Sequence, residues 1–184
     1  MEIISTPLQD LYILKPTVFE DNRGFFFESF NIQKLIDAGL NYNFVQDNHS
    51  KSTYGVLRGL HYQQNPYAQA KLVRVLQGKV LDVVVDIRRN SPTFQQSYSV
   101  ELSAENKLQL LIPRGFAHGF VVLSETCEFF YKCDNYYNKA SEGGIAYDDP
   151  TLNIDWQIPT QDIILSEKDM QNPTLENASY NFTY

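Results

Sequence analysis

A chain of 184 residues with 43% hydrophobic content can bury one sizeable core, and its length favours a single domain spanning 1–184. The formal net charge of -7 excludes the broad basic field that nucleic acids and anionic membranes require, while a small anion held by a few gathered cations stays possible. Twelve Tyr and twelve Phe against one Trp favour pleated, half-buried surfaces, so composition leans to β.

In chain order, Met1–Pro16 lacks a basic stretch followed by an apolar run, and no segment approaches the roughly 20 apolar residues of a membrane span; a soluble, cytoplasmic protein is expected. Leu11–Leu14 reads as a strand, and the turn residues Asp21–Gly24 feed an extended run, Phe25–Phe30. Glu28 sits among those aromatics and needs a partner, which marks Arg23 and Glu28, although an ion pair at a strand end serves equally well. Asn31–Leu40 carries the best helical spacing, with Ile32, Leu35 and Ile36 on one side, Asn31 or Ser29 as cap and Gly39 as terminator. Phe44–Ser50 is extended, with Gln46 and Asn48 on one face; such a polar cluster satisfies local backbone as readily as a ligand.

Gly55–Gly78 is the segment around which the rest is organised. It offers Arg58, His61 and Lys71, a phosphate-compatible cation, a titratable base and a second cation. Pleat geometry puts Gly59 and His61 on one face and Arg58 and Leu60 on the other, so Arg58 and His61 meet only through a bulge, a kink or the mouth of a barrel. LVRVL, the turn Gln77–Lys79 and VLDVVVDI read as a hairpin. Strands at Ser97–Leu102, Leu108–Ile112, Phe116–Leu123 and Cys127–Tyr131 then follow, separated by turn residues. Many short strands and one helix indicate an all-β sandwich or barrel. Cys127 and Cys133 share a strand face and read as reduced core cysteines. The polar tail beyond Pro150 reads as a packed extension with a short helix near Ser166–Met170.

The chemistry follows by elimination. Gly55 to His61 begins like the first metal motif of cupins and Pro113–His118 has the shape of the second, but Gln63 stands where a further histidine belongs. Two histidines are too few for a transition-metal site, so no metal is expected. No nucleophile elbow, activated thiolate motif, dinucleotide fingerprint or phosphate-binding loop is present. What remains is a cofactor-free set of His, Lys, Arg and Tyr. Those types suit removal of a proton next to a carbonyl, with a cation holding the enolate oxygen and an acid returning a proton.

The strings FVQDNHS, GVLRGLHYQ, KLVRVLQGKVLDVVVDIRRNSPTF, LSAENKLQLLIPRGFAHGF and EFFYKCDNYY, with DDPTLNIDW and ILSEKD, resemble the dTDP-4-dehydrorhamnose 3,5-epimerases over nearly the whole chain. The resemblance implies a metal-free, homodimeric cupin jelly roll that inverts C3 and C5 of a 4-keto-6-deoxyhexose carried on thymidine diphosphate, on the route to dTDP-L-rhamnose. It makes His61 the general base, Asp169 its orienting carboxylate, Lys71 the enolate stabiliser and Tyr131 the acid on the opposite sugar face. It implies substrate contacts for Arg23, Phe26, Glu28, Gln46, Asp47, Asn48, Arg58, Lys71, His118, Tyr137 and Glu142, with Arg58 on the diphosphate and Tyr137 under the thymine. Ala70 departs from the glycine expected there. The same scaffold also serves 3-only and 5-only epimerases and sugar 3,4-ketoisomerases, and a metal-dependent cupin enzyme is a more distant alternative.

Overall fold

Alternating apolar and polar residues become short strands throughout the computed structural model, which describes residues 1–184. In chain order they are β1 (Glu2–Ser5), β2 (Tyr12–Lys15), β3 (Phe19–Asp21), β4 (Gly24–Phe26), β5 (Gln46–Thr53), β6 (Leu57–Gln63) and β7 (Lys71–Gln77). Then come β8 (Lys79–Asp86), β9 (Ser97–Ser103), β10 (Gln109–Ile112), β11 (Phe116–Val122), β12 (Thr126–Cys133) and β13 (Glu142–Gly144). One helix, α1 (Ile32–Asp37), interrupts them. A six-stranded sheet runs β1-β2-β10-β7-β12-β5 and a five-stranded sheet runs β13-β6-β11-β8-β9, while β3 and β4 form a separate hairpin. Their stacking is the jelly roll of the cupins.

Three apolar layers follow from the alternation. Val73, Val75 and Phe129 of the six-stranded sheet pack between the sheets against Val80, Val84, Phe116 and Phe120 of the five-stranded one. The other face of the five-stranded sheet, with Leu81, Val83 and Val85, is covered by Leu152, Trp156, Leu175 and Phe182 of the C-terminal extension. Outside the six-stranded sheet, Leu35 of α1 closes a small cluster with Leu14, Leu72 and Leu111. Full burial of that leucine is worth roughly 1.5–3 kcal/mol.

Several expectations change in detail. The anticipated hairpin at Gln77–Lys79 is no ladder, because β7 pairs with β10 and β12, whereas β8 pairs with β11 and β9. Gly78, at φ +75°, carries the chain from one sheet to the other, and its carbonyl accepts from the Ala104 amide at 3.0 Å in place of a hairpin partner. The helix is shorter than its pattern: Asn31 caps it through the Gln33 amide and Gly39 follows at φ +79°, but only Leu35 finds a buried site. The run Phe25–Phe30 is strand only to Phe26, since Phe27 turns over Arg74 and Phe30 packs edge-on against Phe44. The tail helix reduces to a 3₁₀ turn at Asp169–Gln171. Both cysteines are free and buried.

Candidate active site

Of the ways the sequence left open for Arg58 to join His61, the structure uses a bulge. His61 pairs with His118 across β6 and β11, yet Arg58 pairs with Phe120, so β6 spends one more residue than β11 between the two pairs. The extra residue brings Arg58 and His61 to the same side, and both line one cavity of about 540 Å³. Glycine is obligatory at this point. Gly59 has φ +134°, and a Cβ there would stand 2.5 Å from the Cα of Gly119.

His61 receives its carboxylate from far along the chain. Ile164 bridges Val56 in parallel, with the Leu57 amide donating to the Ile164 carbonyl at 2.9 Å, which fastens the tail to the start of β6. The turn beyond it delivers Asp169, whose Oδ1 hydrogen-bonds His61 Nε2 and whose amide donates to Ser166 Oγ at 3.1 Å. Burial alone would raise the Asp169 carboxyl; the hydrogen bond and charge of His61, aided by Ser166 and Lys168, hold it below the usual carboxylate range. With Nε2 committed to Asp169, Nδ1 is the nitrogen left for a substrate.

The facing sheet supplies the other half. Tyr131 of β12 lines the same cavity, and the ammonium of Lys71 on β7 lies 5.8 Å from its ring centroid. Burial raises the Tyr131 hydroxyl, with the Cys133 side adding to the effect and Arg58 opposing it, so Tyr131 is a protonated phenol in the neutral range. Burial lowers Lys71, opposed by Cys133 and Asp82. His118 donates from Nε2 to Asp82 at 2.9 Å, both side chains being buried. A smaller adjoining cavity of about 180 Å³ shares Asn48, His61 and Tyr131 with the first and adds Gln46, Lys71, Tyr137 and Glu142.

Most sequence-predicted residues are therefore gathered, and four are not. Asp47 points away and pairs with Lys132 at 3.0 Å. Arg23 pairs with Asp21 on the β3–β4 hairpin, Phe26 is 72% exposed there, and Glu28 pairs with Lys34 at 2.7 Å. Sequence reasoning missed Lys168, which lines the larger cavity and pairs with Glu142 at 2.7 Å, and Ser52, which accepts from Arg58 Nε at 3.2 Å. It also missed Asp82; a carboxylate at the even position of a valine run was the available signal.

A histidine on one sheet, joined by a carboxylate from the tail, and a phenol and a lysine on the sheet opposite line the site of a cupin-fold enzyme. The chain belongs to the dTDP-4-dehydrorhamnose 3,5-epimerase family, isomerases whose sequence model matches residues 5–177. It is 56% identical over 182 residues to the dTDP-4-dehydrorhamnose 3,5-epimerase of Shigella flexneri, covering 98% of this chain and 99% of that one. The crystal structure of the Elizabethkingia anophelis enzyme of that name superposes with a TM-score of 0.93 at 61% identity, covering 96% of this chain and 97% of the other. A dTDP-6-deoxy-D-glucose-3,5-epimerase of Legionella pneumophila, solved in complex with dTDP-4-keto-L-rhamnose, gives 0.91 at 51% identity and covers 96% and 93%.

Proposed function

We propose that the protein converts dTDP-4-dehydro-6-deoxy-D-glucose to dTDP-4-dehydro-L-rhamnose by inverting C3 and C5, on the route to dTDP-L-rhamnose. The observation that carries this reading is the placement of His61 and Tyr131 on facing sheets at one cavity, because inversion needs a proton removed from one face and another delivered to the opposite face. His61 Nδ1 takes the proton α to the 4-keto group, and Asp169 stabilises the imidazolium that forms. The electron pair moves to the C4 oxygen, where the Lys71 ammonium meets the enolate. Tyr131 gives its phenolic proton to the carbon from the other side; His61 then releases its proton to solvent and Tyr131 regains one before the second centre reacts.

Arg58, with a fork suited to phosphate, takes the diphosphate; Tyr137 offers its exposed face to the thymine; Gln46, Asn48, His118 and Glu142 complete the contacts. The enzyme works as a homodimer in the cytoplasm and needs neither metal nor cofactor. Exposed Phe19, Phe25 and Phe26, at 63%, 59% and 72%, support a second copy over the hairpin, and that copy's site would then gain Arg23, Phe26 and Glu28. Light scattering should give about twice the chain mass of 21.2 kDa, and an active monomer would end the dimer reading.

The deciding experiment is proton NMR of the 4-keto sugar nucleotide in heavy water, following deuterium uptake at C3 and C5 separately from product stereochemistry, before and after exhaustive chelation. Uptake and inversion at both carbons, unchanged by chelation, are expected. Reaction at one carbon only would replace this reading with a monoepimerase, and a shifted carbonyl with a ketoisomerase. Activity lost on chelation and restored by a metal would end the metal-free reading.

A further inference from the structure

The barrel interior contains a carboxylate that the reaction above does not use. Asp82 lies on β8 between Val80 and Val84, whose side chains belong to the apolar layer between the sheets, and it is 0% exposed. An ionised carboxylate in such a place is costly unless it is paired and hydrogen-bonded. Its two oxygens accept from His118 Nε2 at 3.0 and 2.9 Å, and the other cation whose charge pulls on it is Lys71, on the opposite sheet.

Lys71 forms no close ion pair; the groups that face it are Asp82, the Cys133 thiol and the Tyr131 ring. Burial pushes the Cys133 thiol up, and Tyr131 is likewise held protonated, so neither supplies an anion in the neutral range. Burial raises the Asp82 carboxyl as well, but His118 and Lys71 pull against it and a carboxyl starts far below a thiol or a phenol, which leaves Asp82 as the one remaining counter-charge for the ammonium.

We infer that Asp82 is a positioning residue for the epimerisation, the buried counter-ion that keeps Lys71 an ammonium inside the barrel and holds His118 as its Nε2–H tautomer. One anion and one ammonium leave the interior neutral, so His118 has no charge to gain by taking a second proton. Burial and then the nearby Lys71 and His61 push its imidazole down, against the pull of Asp82. Its Nδ1 is then an acceptor for a sugar hydroxyl, and the ammonium alone meets the developing enolate. Without Asp82, desolvation takes the proton from Lys71 and the enolate loses its stabiliser.

The inference rests on the role assigned above to Lys71, and its test separates the two. Asp82→Asn keeps the shape and removes the charge. The alkaline limb of its rate profile for deuterium exchange should move to lower pH by at least one unit, with roughly tenfold lost per unit above the new limb. In a Lys71→Arg background the cation cannot deprotonate, so adding Asp82→Asn should leave the limb in place. A uniform fall at every pH with an unmoved limb would overturn the inference. The second readout needs no turnover: ¹⁵N NMR titration of the Lys71 ζ-nitrogen, assigned with Lys71→Arg. An ammonium near neutral pH in the wild type and a neutral amine in Asp82→Asn are expected; should that variant not fold, a neutral wild-type amine still overturns the idea. A charged Lys71 whose removal leaves exchange untouched would instead discard the enolate role and keep the counter-ion.

Discussion

Two His–Asp pairs face one another across a single ladder, His61 with Asp169 and His118 with Asp82, and their surroundings differ sharply. His61 and His118 are direct partners in the β6–β11 register, yet the His61 side chain is 36% exposed and that of His118 only 8%. Asp169 arrives from the C-terminal tail at the cavity wall and is held low by its partner. Asp82 projects from the neighbouring strand into a layer of valines and phenylalanines, where burial pushes it up against the pull of His118 and Lys71. The same two functional groups thus suit different tasks. His61 stands open to the cavity where a substrate can reach it, whereas Asp82 is closed in between the sheets beneath His118.

The largest effect that would sharpen this contrast is on the exposed pair. His61→Asn should lose deuterium exchange at both carbons by at least the roughly 10²- to 10⁴-fold usual for general acid–base catalysis. His118→Asn should slow turnover and still permit exchange, because in the proposed reading His118 holds a hydroxyl and moves no proton from carbon. Equal losses of exchange in the two variants would erase the distinction.

Tyr131→Phe tests the facing sheet. It should retain part of the exchange, since His61 can return a solvent-derived proton to the face it came from, and lose most of the inversion. Full inversion in this variant, read by NMR of the product, would move the acid to another residue.

The smallest effect is on stability, and there the two aspartates should slope oppositely with pH. Asp169 has a lowered folded value, so its contribution is present above the ordinary carboxylate range and fades as pH falls through that lowered value. Asp82 has a raised one, so its contribution is present below that range and is lost as pH rises through the folded value. Urea denaturation from pH 3 to 7 should show Asp169→Asn flattening the loss of stability on acidification and Asp82→Asn steepening it. Slopes of the same sign would contradict the assigned environments.

Much of this was open to inspection in the chain itself. The β class and most strand positions follow from period and turn residues, and side-chain chemistry marked Arg58, His61 and Lys71, whereas Tyr131 and Asp169 were named only through the family resemblance. That Arg58 and His61 could not share a face of a regular strand could also be stated, but not that a bulge at Gly59 would join them. The hairpin reading at Gln77–Lys79 failed for an equally physical reason: a glycine turn between β-branched runs has the same sequence whether its strands pair or enter different sheets. α1 came out short because helical spacing does not say how much apolar surface lies beneath it, and only Leu35 met any.

The amino-acid sequence by itself determined which side chains alternate inward, where the chain must turn, and which chemistry was available without a metal motif. Only the tertiary structure decided the partners. His61 and Asp169 are 108 positions apart and meet because Ile164 adds to the start of β6. His61 and Tyr131 oppose each other because their strands lie in different sheets, and Asp82 faces Lys71 across the same interior. Such pairings depend on sheet order and on which face each strand turns inward, both set by packing of the whole barrel, and a local pattern carries neither.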